Sequence, residues 1–452
     1  MSGVVVDPGR RSREAALLLL AGLVTAAGSA LVLLAETNSP ALEGILVPAL
    51  TVGVTALGCH LAIRRLAPQA MGFLLPLAVL LNGMGIVMIA RLDRDLSRLQ
   101  VAWTLVGLVA FVVVLAASRR IRDLERFRYT FALAGIAALL LPVLPGIGRE
   151  INGARLWVRL GPLNFQPGEA AKVFLVVFLA AYLVEKRELL AVATRRLGPL
   201  RLPDPRHLGP MLLAWGFSIV VMVQEKDLGS SLLFFAVFAA MVYMATGRAS
   251  YLLVGGALFA AGAVAAYTLF GHVQARVVTW IDPWAEASGR GFQLVQALFA
   301  FGSGGLTGSG LGLGYPGKIP NASTDFVFAA LGEELGLAGT CAVLAAYVLL
   351  VGGGFAVALR SEQPFAKLLA AGLATILGIQ TFIILGGTTR LIPLTGITLP
   401  FMSYGGSSLV ANYAILALLL RVSDDGSRHR VSDPSLVATG EMGPLPETGR
   451  NR

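Results

Sequence analysis

Ala15–Ala35 reads AALLLLAGLVTAAGSALVLLA and contains no charged residue. A run of that length crosses the roughly 30 Å hydrocarbon core of a bilayer as one helix. It decides the fold class because comparable runs recur along the chain. Twelve spans are expected, at about 15–35, 44–63, 71–90, 100–118, 129–145, 169–184, 210–224, 228–246, 251–270, 326–352, 366–387 and 400–420. Arg10, Arg11 and Arg13 precede the first run and small residues close it, as in a signal peptide. Its apolar stretch exceeds a usual signal core, so it reads as a retained helix. Composition agrees: 56% of the 452 residues are apolar and 14% charged, with a mean hydropathy of +0.75. Soluble domains are about a quarter charged, so a string of water-soluble domains is excluded. Several runs fall short of about 20 residues and must tilt, break or borrow loop residues.

The net charge of +10 would suit a nucleic-acid partner, but its distribution points elsewhere. With alternating spans and the N-terminus inside, 24 Lys and Arg fall on inner segments and 11 on outer ones, Lys172 lying within a span. That bias predicts both termini in the cytoplasm, with Arg119–Arg128 and Glu185–His207 as the longer inner segments. No nucleic-acid role follows. The polar stretch Ser423–Arg452, with its Pro, Gly and Ser, is expected to be a disordered cytoplasmic tail. Cys59 and Cys341 both lie in apolar runs and supply neither a disulfide framework nor a metal site. His60, His207, His272 and His429 are scattered.

Two outer segments are too polar to be mere connectors. Residues 146–168 contain Asn152-Gly-Ala-Arg155-Leu-Trp157-Val-Arg159. Residues 271–324 contain Arg276, Asp282-Pro-Trp284, Arg290-Gly-Phe-Gln293 and a glycine-rich run leading to Ser323-Thr-Asp325. A connection of that length is either functional or disordered. Its aromatics and the amphipathic stretch Phe292–Phe301 favour an ordered loop that partly re-enters the membrane. Within the glycine-rich run, Gly312-Leu-Gly-Tyr-Pro-Gly317-Lys318 fits a phosphate-binding loop, but Ile319 stands where Ser or Thr must hold magnesium. No strand-to-helix context accompanies it, which argues against a nucleotide site.

Ionisable groups at bilayer depth are costly unless paired or hydrated and mark functional cavities. Glu169 and Lys172, three apart on one helical face, read as a structural ion pair or as part of such a cavity. Glu225, Lys226 and Asp227 lie between two spans. Glu333 and Glu334 read first as helix caps and interhelical bonds. Asp325 opens a span at the outer mouth, where it either complements the helix dipole or acts as a water-accessible carboxylate able to take a proton.

Several long motifs, in order, resemble the SEDS family (shape, elongation, division and sporulation proteins, with RodA and FtsW as members). They are Asn152–Arg159, Phe165-Gln-Pro-Gly-Glu169-Ala-Ala-Lys172, Asp227-Leu-Gly-Ser, Gly302–Gly312, Thr324-Asp325-Phe326, Gly332-Glu-Glu-Leu-Gly336, Gly386-Gly-Thr-Thr-Arg390 to Pro393-Leu-Thr-Gly, and Ser403-Tyr-Gly-Gly-Ser-Ser408. With Leu81–Asp93 and two spans ahead of the common core, the chain looks most like the actinobacterial RodA branch. Gly168 departs from the family's usual Ser, and Glu225-Lys226 from its usual Gln-Pro.

The resemblance implies an all-α polytopic membrane protein with about twelve transmembrane helices. Residues 1–14 would be a cytoplasmic N-terminus, 15–70 two additional helices, 71–421 the ten-helix core with outer loops 146–168 and 271–324, and 422–452 the tail. It implies a peptidoglycan glycosyltransferase that polymerises lipid II on the outer face of the cytoplasmic membrane for cell elongation and shape. A class B penicillin-binding protein would be the partner, with membrane lipids around both. Asp325 matches the family's catalytic aspartate and Trp157 its required outer-loop tryptophan. Glu169, Lys172 and Asp227 match polar cavity positions, and Glu333 and Ser403 fall in the matching motifs. Arg155, Arg159, Arg276, Arg290 and Lys318 are candidates for the diphosphate, which a divalent cation (Mg or Mn) could also neutralise. A lipid II flippase, an FtsW-type division enzyme and a structural scaffold are the competing readings. A transporter is expected to show repeat symmetry with interrupted helices in both halves, and the sequence shows none.

Overall fold

The computed structural model describes residues 8–36, 42–151, 154–160, 163–191, 195–197, 200–202, 216 and 227–432. Helices dominate: α1 (Pro8–Glu36), α2 (Leu42–Leu66), α3 (Leu74–Leu92), α4 (Arg94–Ala117), the short α5 (Ile121–Arg126) and α6 (Arg128–Leu140). A small antiparallel sheet of β1 (Gly148–Ile151), β2 (Ala154–Leu160) and β3 (Leu163–Phe165) follows, in the order β1-β2-β3. Next come α7 (Pro167–Ala191) and the hairpin of β4 (Arg195–Leu197) and β5 (Leu200–Leu202). The remainder is α8 (Leu228–Thr246), α9 (Ala249–Leu269), α10 (Gly271–Ile281), α11 (Phe292–Gly304), α12 (Val327–Arg360), α13 (Pro364–Thr388) and α14 (Gly406–Ser432).

Among the described residues ten helices are long and apolar enough to cross a membrane, and the stretch Arg128–Val143 is a shorter apolar helix. The span expected at 210–224 lies outside the described residues, as do Glu225 and Lys226. The chain is a multi-pass membrane protein. Exposed leucines and valines such as Leu19, Leu23, Val109 and Val348 cover the outside of the bundle, which is what a lipid solvent permits. The most deeply enclosed helices are α13 and α14. They carry the core, with Leu369, Leu373, Ile384, Leu416 and Leu420 fully buried.

Two boundaries differ from the sequence expectation. The last span was expected from residue 400, but the helix begins at Gly406. Residues 391–405 run as non-helical backbone, because Pro393, Gly396, Pro400 and Gly405 interrupt the pattern and Gly396 takes φ +82. The tail was expected to be disordered from residue 422, but α14 continues to Ser432. Buried polar side chains hold it there. The Asp424 carboxylate accepts the Gln69 N–H at 2.7 Å and the Ser423 hydroxyl accepts the Met71 N–H at 3.0 Å. Arg421 donates to the carbonyls of Leu66 and Leu115.

The long segment before α12 is ordered, as expected, and its packing explains its glycines. Helix α12 breaks at Gly336 (φ 64, ψ −166). Backbone groups freed by a break must find other partners. Ser309 and Gly310 donate to the carbonyls of Glu333 and Glu334, while Leu337 and Ala338 donate to the carbonyls of Gly305 and Leu306. The glycine-rich run thus repairs the broken helix. Glu334 accepts from Gly312 N–H at 3.0 Å and pairs with Arg91 at 3.3 Å, and Glu333 accepts from Tyr315 N–H at 2.9 Å. These two carboxylates hold a loop in place, the bonding role read first for them.

Candidate active site

A cavity of about 450 Å³ opens where α4, the β-sheet, α7, α8, α10 and the entrance to α12 meet the 391–405 segment. Asp325 sits at its wall, half-buried. The turn ahead of α12 is organised by Asn321, whose backbone takes φ 56, a left-handed conformation that Asn tolerates. Its carbonyl accepts the N–H groups of Thr324, Asp325 and Phe326 at 3.1, 3.1 and 3.3 Å. A second clamp comes from the 399–404 segment. Ser403 Oγ donates to the Thr324 carbonyl at 2.5 Å and accepts the Leu399 N–H at 2.9 Å, and the Tyr404 N–H reaches the Ser323 carbonyl at 2.8 Å. Ser403 therefore fixes the backbone beside Asp325 from below the cavity wall.

Arg276 faces Asp325 across Gly396. A Cβ added at Gly396 would stand 3.8 Å from Asp325 Oδ2 and 3.9 Å from Arg276 Nη2. Those are ordinary contact distances, so it is the backbone conformation of Gly396, φ +82, that favours glycine between the two groups. Arg276 Nη1 donates to the carbonyls of Leu394 and Thr395 at 3.0 and 2.7 Å. Helix α10, which carries Arg276, is pinned one turn later, where Trp280 Nε1 donates to the Arg390 carbonyl at 3.0 Å and Arg390 Nε donates to the Trp280 carbonyl at 2.9 Å. The guanidinium is thus locked at one end and presented to the cavity at the other.

Burial pushes the Asp325 carboxyl up to about 6; Arg276 and a hydrogen bond from Thr324 pull it down, and Asp227 adds a further upward push. Asp227 is raised by burial as well, opposed by its bonds to Ser230 and then by Arg276. Those bonds are the N-cap of α8: Asp227 Oδ1 accepts the Ser230 N–H at 3.0 Å and Oδ2 the Ser230 hydroxyl at 2.5 Å. Asp227 is occupied as a cap, whereas Asp325 is the carboxyl poised to exchange a proton near neutrality.

Glu169 lines the cavity from the first turn of α7 and pairs at 2.5 Å with Lys172, which is buried. Lys172 also donates to Gln380 Oε1 at 2.8 Å, and Gln380 Nε2 donates to the Thr398 carbonyl at 2.8 Å. This chain of contacts couples the ion pair to the segment that holds Arg276. Trp157 and Leu156 close one side from β2.

Of the residues expected from sequence, Trp157, Glu169, Asp227, Arg276 and Asp325 line the cavity, and Lys172 and Ser403 support its wall. The others do not line it. Arg155 donates outward to the Leu144 carbonyl, Arg290 lies exposed near Glu286, and Lys318 stacks on the ring of Tyr315 at 5.1 Å. Arg159 projects from β2 as an exposed side chain, and Glu333 is committed to the glycine-rich loop. Of the five basic candidates for the diphosphate, Arg276 alone among the described residues is in place. Sequence reasoning missed Gln380, Tyr404, Gln166 and Thr398. Gln380 had a usable signal, since an amide inside an otherwise apolar span needs a buried partner. Among the described residues no three His, Cys, Asp or Glu converge into an all-protein cage for a divalent cation, and the Asp227 carboxylate is engaged by Ser230.

Comparison with known proteins gives one answer. A family model described as FTSW_RODA_SPOVE, cell cycle protein, matches residues 72–428. The peptidoglycan glycosyltransferase RodA of Mycobacterium tuberculosis is 46% identical over 436 residues, which is 93% of this chain and 92% of the relative. A chain from a peptidoglycan synthase complex that coordinates polymerization and crosslinking is 29% identical and superposes with a TM-score of 0.64, covering 79% of this chain and 98% of that one. The rod shape determining protein RodA of Thermus thermophilus is 31% identical with a TM-score of 0.56, covering 79% and 97%. The order of motifs, the helical bundle and these matches agree, and the chain belongs to the FtsW/RodA/SpoVE, or SEDS, family of cell cycle proteins.

Proposed function

We propose that this protein is a peptidoglycan glycosyltransferase of the bacterial cytoplasmic membrane that polymerises lipid II for cell elongation and shape. The observation that carries this reading is the placement of Asp325 and Arg276 on the two sides of Gly396, both lining a cavity at one end of the bundle. The charge bias of the loops supports a cytoplasmic position for both termini and an outer-face position for this cavity.

The reaction joins the 4-hydroxyl of one sugar to the anomeric carbon of another, and a polyprenyl diphosphate leaves. Inversion in one displacement needs a base at the acceptor hydroxyl and positive charge at the diphosphate. Asp325 takes the hydroxyl proton; its raised pKa improves it as a base while leaving it ionised at neutral pH. Arg276 meets the departing diphosphate with its free N–H groups, since a guanidinium suits phosphate oxygens. Glu169, Lys172 and Gln380 hold the opposite wall, and Trp157 offers a face for a sugar ring. A class B penicillin-binding protein is the partner this reading calls for, supplying crosslinking to the strands made here.

The test uses purified protein and labelled lipid II in detergent, with and without that partner. Detergent removes sidedness, so glycan strands can arise only from polymerisation. Intact lipid II in both arms refutes the assignment and returns the flippase to contention.

A further inference from the structure

The end of the bundle opposite the Asp325 cavity carries a second concavity that the proposed reaction does not use. A cavity of about 360 Å³ is lined by Arg122, Glu125, Arg126, Arg128 and Tyr129, at the junction of α5 and α6. Two helices fix its position. Trp103 lines the Asp325 cavity and Ser118 closes the same helix α4, about 22 Å further along at 1.5 Å per residue. On α7, Glu169 lines that cavity while Glu185, about 24 Å away by the same measure, pairs with Arg128 at 2.5 Å.

Three features point to the headgroup of an anionic phospholipid. The first is charge: three arginines face one carboxylate in the lining, and Arg119 and Arg120 stand exposed beside them. Arg122 makes no ion pair among the described residues. The second is the aromatic pair at the rim. Phe127 and Tyr129 are 55% and 63% exposed, with Arg126 over the first ring at 6.0 Å and Arg128 over the second at 5.0 Å. Aromatic side chains beside cations belong at the depth of lipid headgroups. The third is what lies next to the cavity. Tyr129, Leu133, Ile136 and Leu140 are all exposed and fall on one face of α6, at the helical spacing of four, three and four. An acyl chain can lie along that stripe while its phosphate occupies the arginine cluster.

We infer that Arg122, Arg126 and Arg128, with Tyr129, form a binding site for the phosphate of an anionic phospholipid, in the leaflet opposite the Asp325 cavity. In the orientation proposed above this is the cytoplasmic leaflet, but the site itself does not depend on that orientation. Basic clusters at a membrane surface attract anionic lipids. A shallow basic concavity with an adjoining apolar stripe adds selectivity for one bound molecule.

The experiment is native mass spectrometry of the full-length protein in detergent. It is titrated with phosphatidylglycerol, with phosphatidylcholine of the same chains, and with inorganic phosphate. Phosphatidylglycerol should bind at least about tenfold more tightly than phosphatidylcholine. The double variant Arg122→Gln/Arg126→Gln should lose most of that preference, each arginine being worth up to about fivefold. Both residues are exposed, so the fold should survive, as wild-type melting would verify. Arg64→Gln/Arg65→Gln removes the same charge from the exposed last turn of α2 and should leave the preference intact. Three results overturn the inference: the first double variant keeps the preference, the control pair loses it equally, or millimolar inorganic phosphate displaces phosphatidylglycerol.

Discussion

Converting Asp325 to Asn separates function from stability, and the structure sets both magnitudes. The carboxyl is raised from 3.8 to about 6 because burial outweighs the attraction of Arg276. The folded protein therefore binds this proton more tightly than the unfolded chain. Stability from this group grows as pH falls through the window between about 6 and 4, and above 6 the ionised carboxyl opposes folding. The full shift corresponds to about 3 kcal/mol, and water in the cavity reduces that, so Asn should stabilise the protein by about 1–3 kcal/mol at pH 7.5. The same raised value predicts a pH limb in wild-type polymerisation. A base with a pKa near 6 is about 97% ionised at pH 7.5 and about 9% at pH 5, which gives a roughly tenfold fall in rate. An aspartate at its ordinary 3.8 would be about 94% ionised at pH 5, and the rate would barely change. The assays are thermal melting of wild type and Asp325→Asn from pH 5 to 8, and initial polymerisation rates over the same range. The gain in melting temperature should shrink as pH falls. A variant no more stable than wild type at pH 7.5, together with a flat rate profile, refutes the argument that burial sets this carboxyl.

Other outcomes follow from the same geometry. Arg276→Gln removes the cation that lowers the Asp325 pKa. It should move the acidic limb to higher pH and slow polymerisation by roughly 10–100-fold, the worth of a charge-assisted bond; a limb left in place in the pH–rate profile refutes the coupling. Gln380→Leu removes one of the two partners of the buried Lys172, whose pair with Glu169 remains, and leaves the Thr398 carbonyl without the amide that donates to it. About 1–3 kcal/mol of stability should be lost, and Gln380→Glu should recover more of it than Leu, as read by melting. Gly336→Ala forces a side chain into φ 64, with its Cβ 2.3 Å from the Gly308 nitrogen. That should cost more than about 2 kcal/mol and lower expression of folded protein, whereas Gly352→Ala, on the same helix with open space around it, should be neutral.

The helical, membrane-spanning character of the fold was legible because bilayer solvation imposes a length and a hydropathy that composition reveals directly. Boundaries set by hydropathy alone went astray where local bonding decides. Pro400 and Phe401 read as the start of a span because they are apolar, yet Phe401 takes φ 65 in a loop that clamps Ser323 and Thr324. Asp424 read as part of a solvated tail because it is charged, yet it is 1% exposed and caps a loop. Strands β1, β2 and β3 form a sheet too short to announce itself by alternation. Within the site, Asp325, Glu169 and Trp157 were legible from rarity and motif. The arginines were not: Arg155, Arg159, Arg276 and Arg290 look alike in sequence, and only the pinning of α10 by Trp280 and Arg390 selects Arg276.

The most direct measurement is lipid II polymerisation at pH 7.5 by purified Asp325→Asn against wild type, with lipid II affinity measured alongside. Loss of a general base predicts a fall in rate of at least about 10²-fold, with lipid II binding within about threefold of wild type. Glycan strands made by the Asn variant at the wild-type rate would contradict the account.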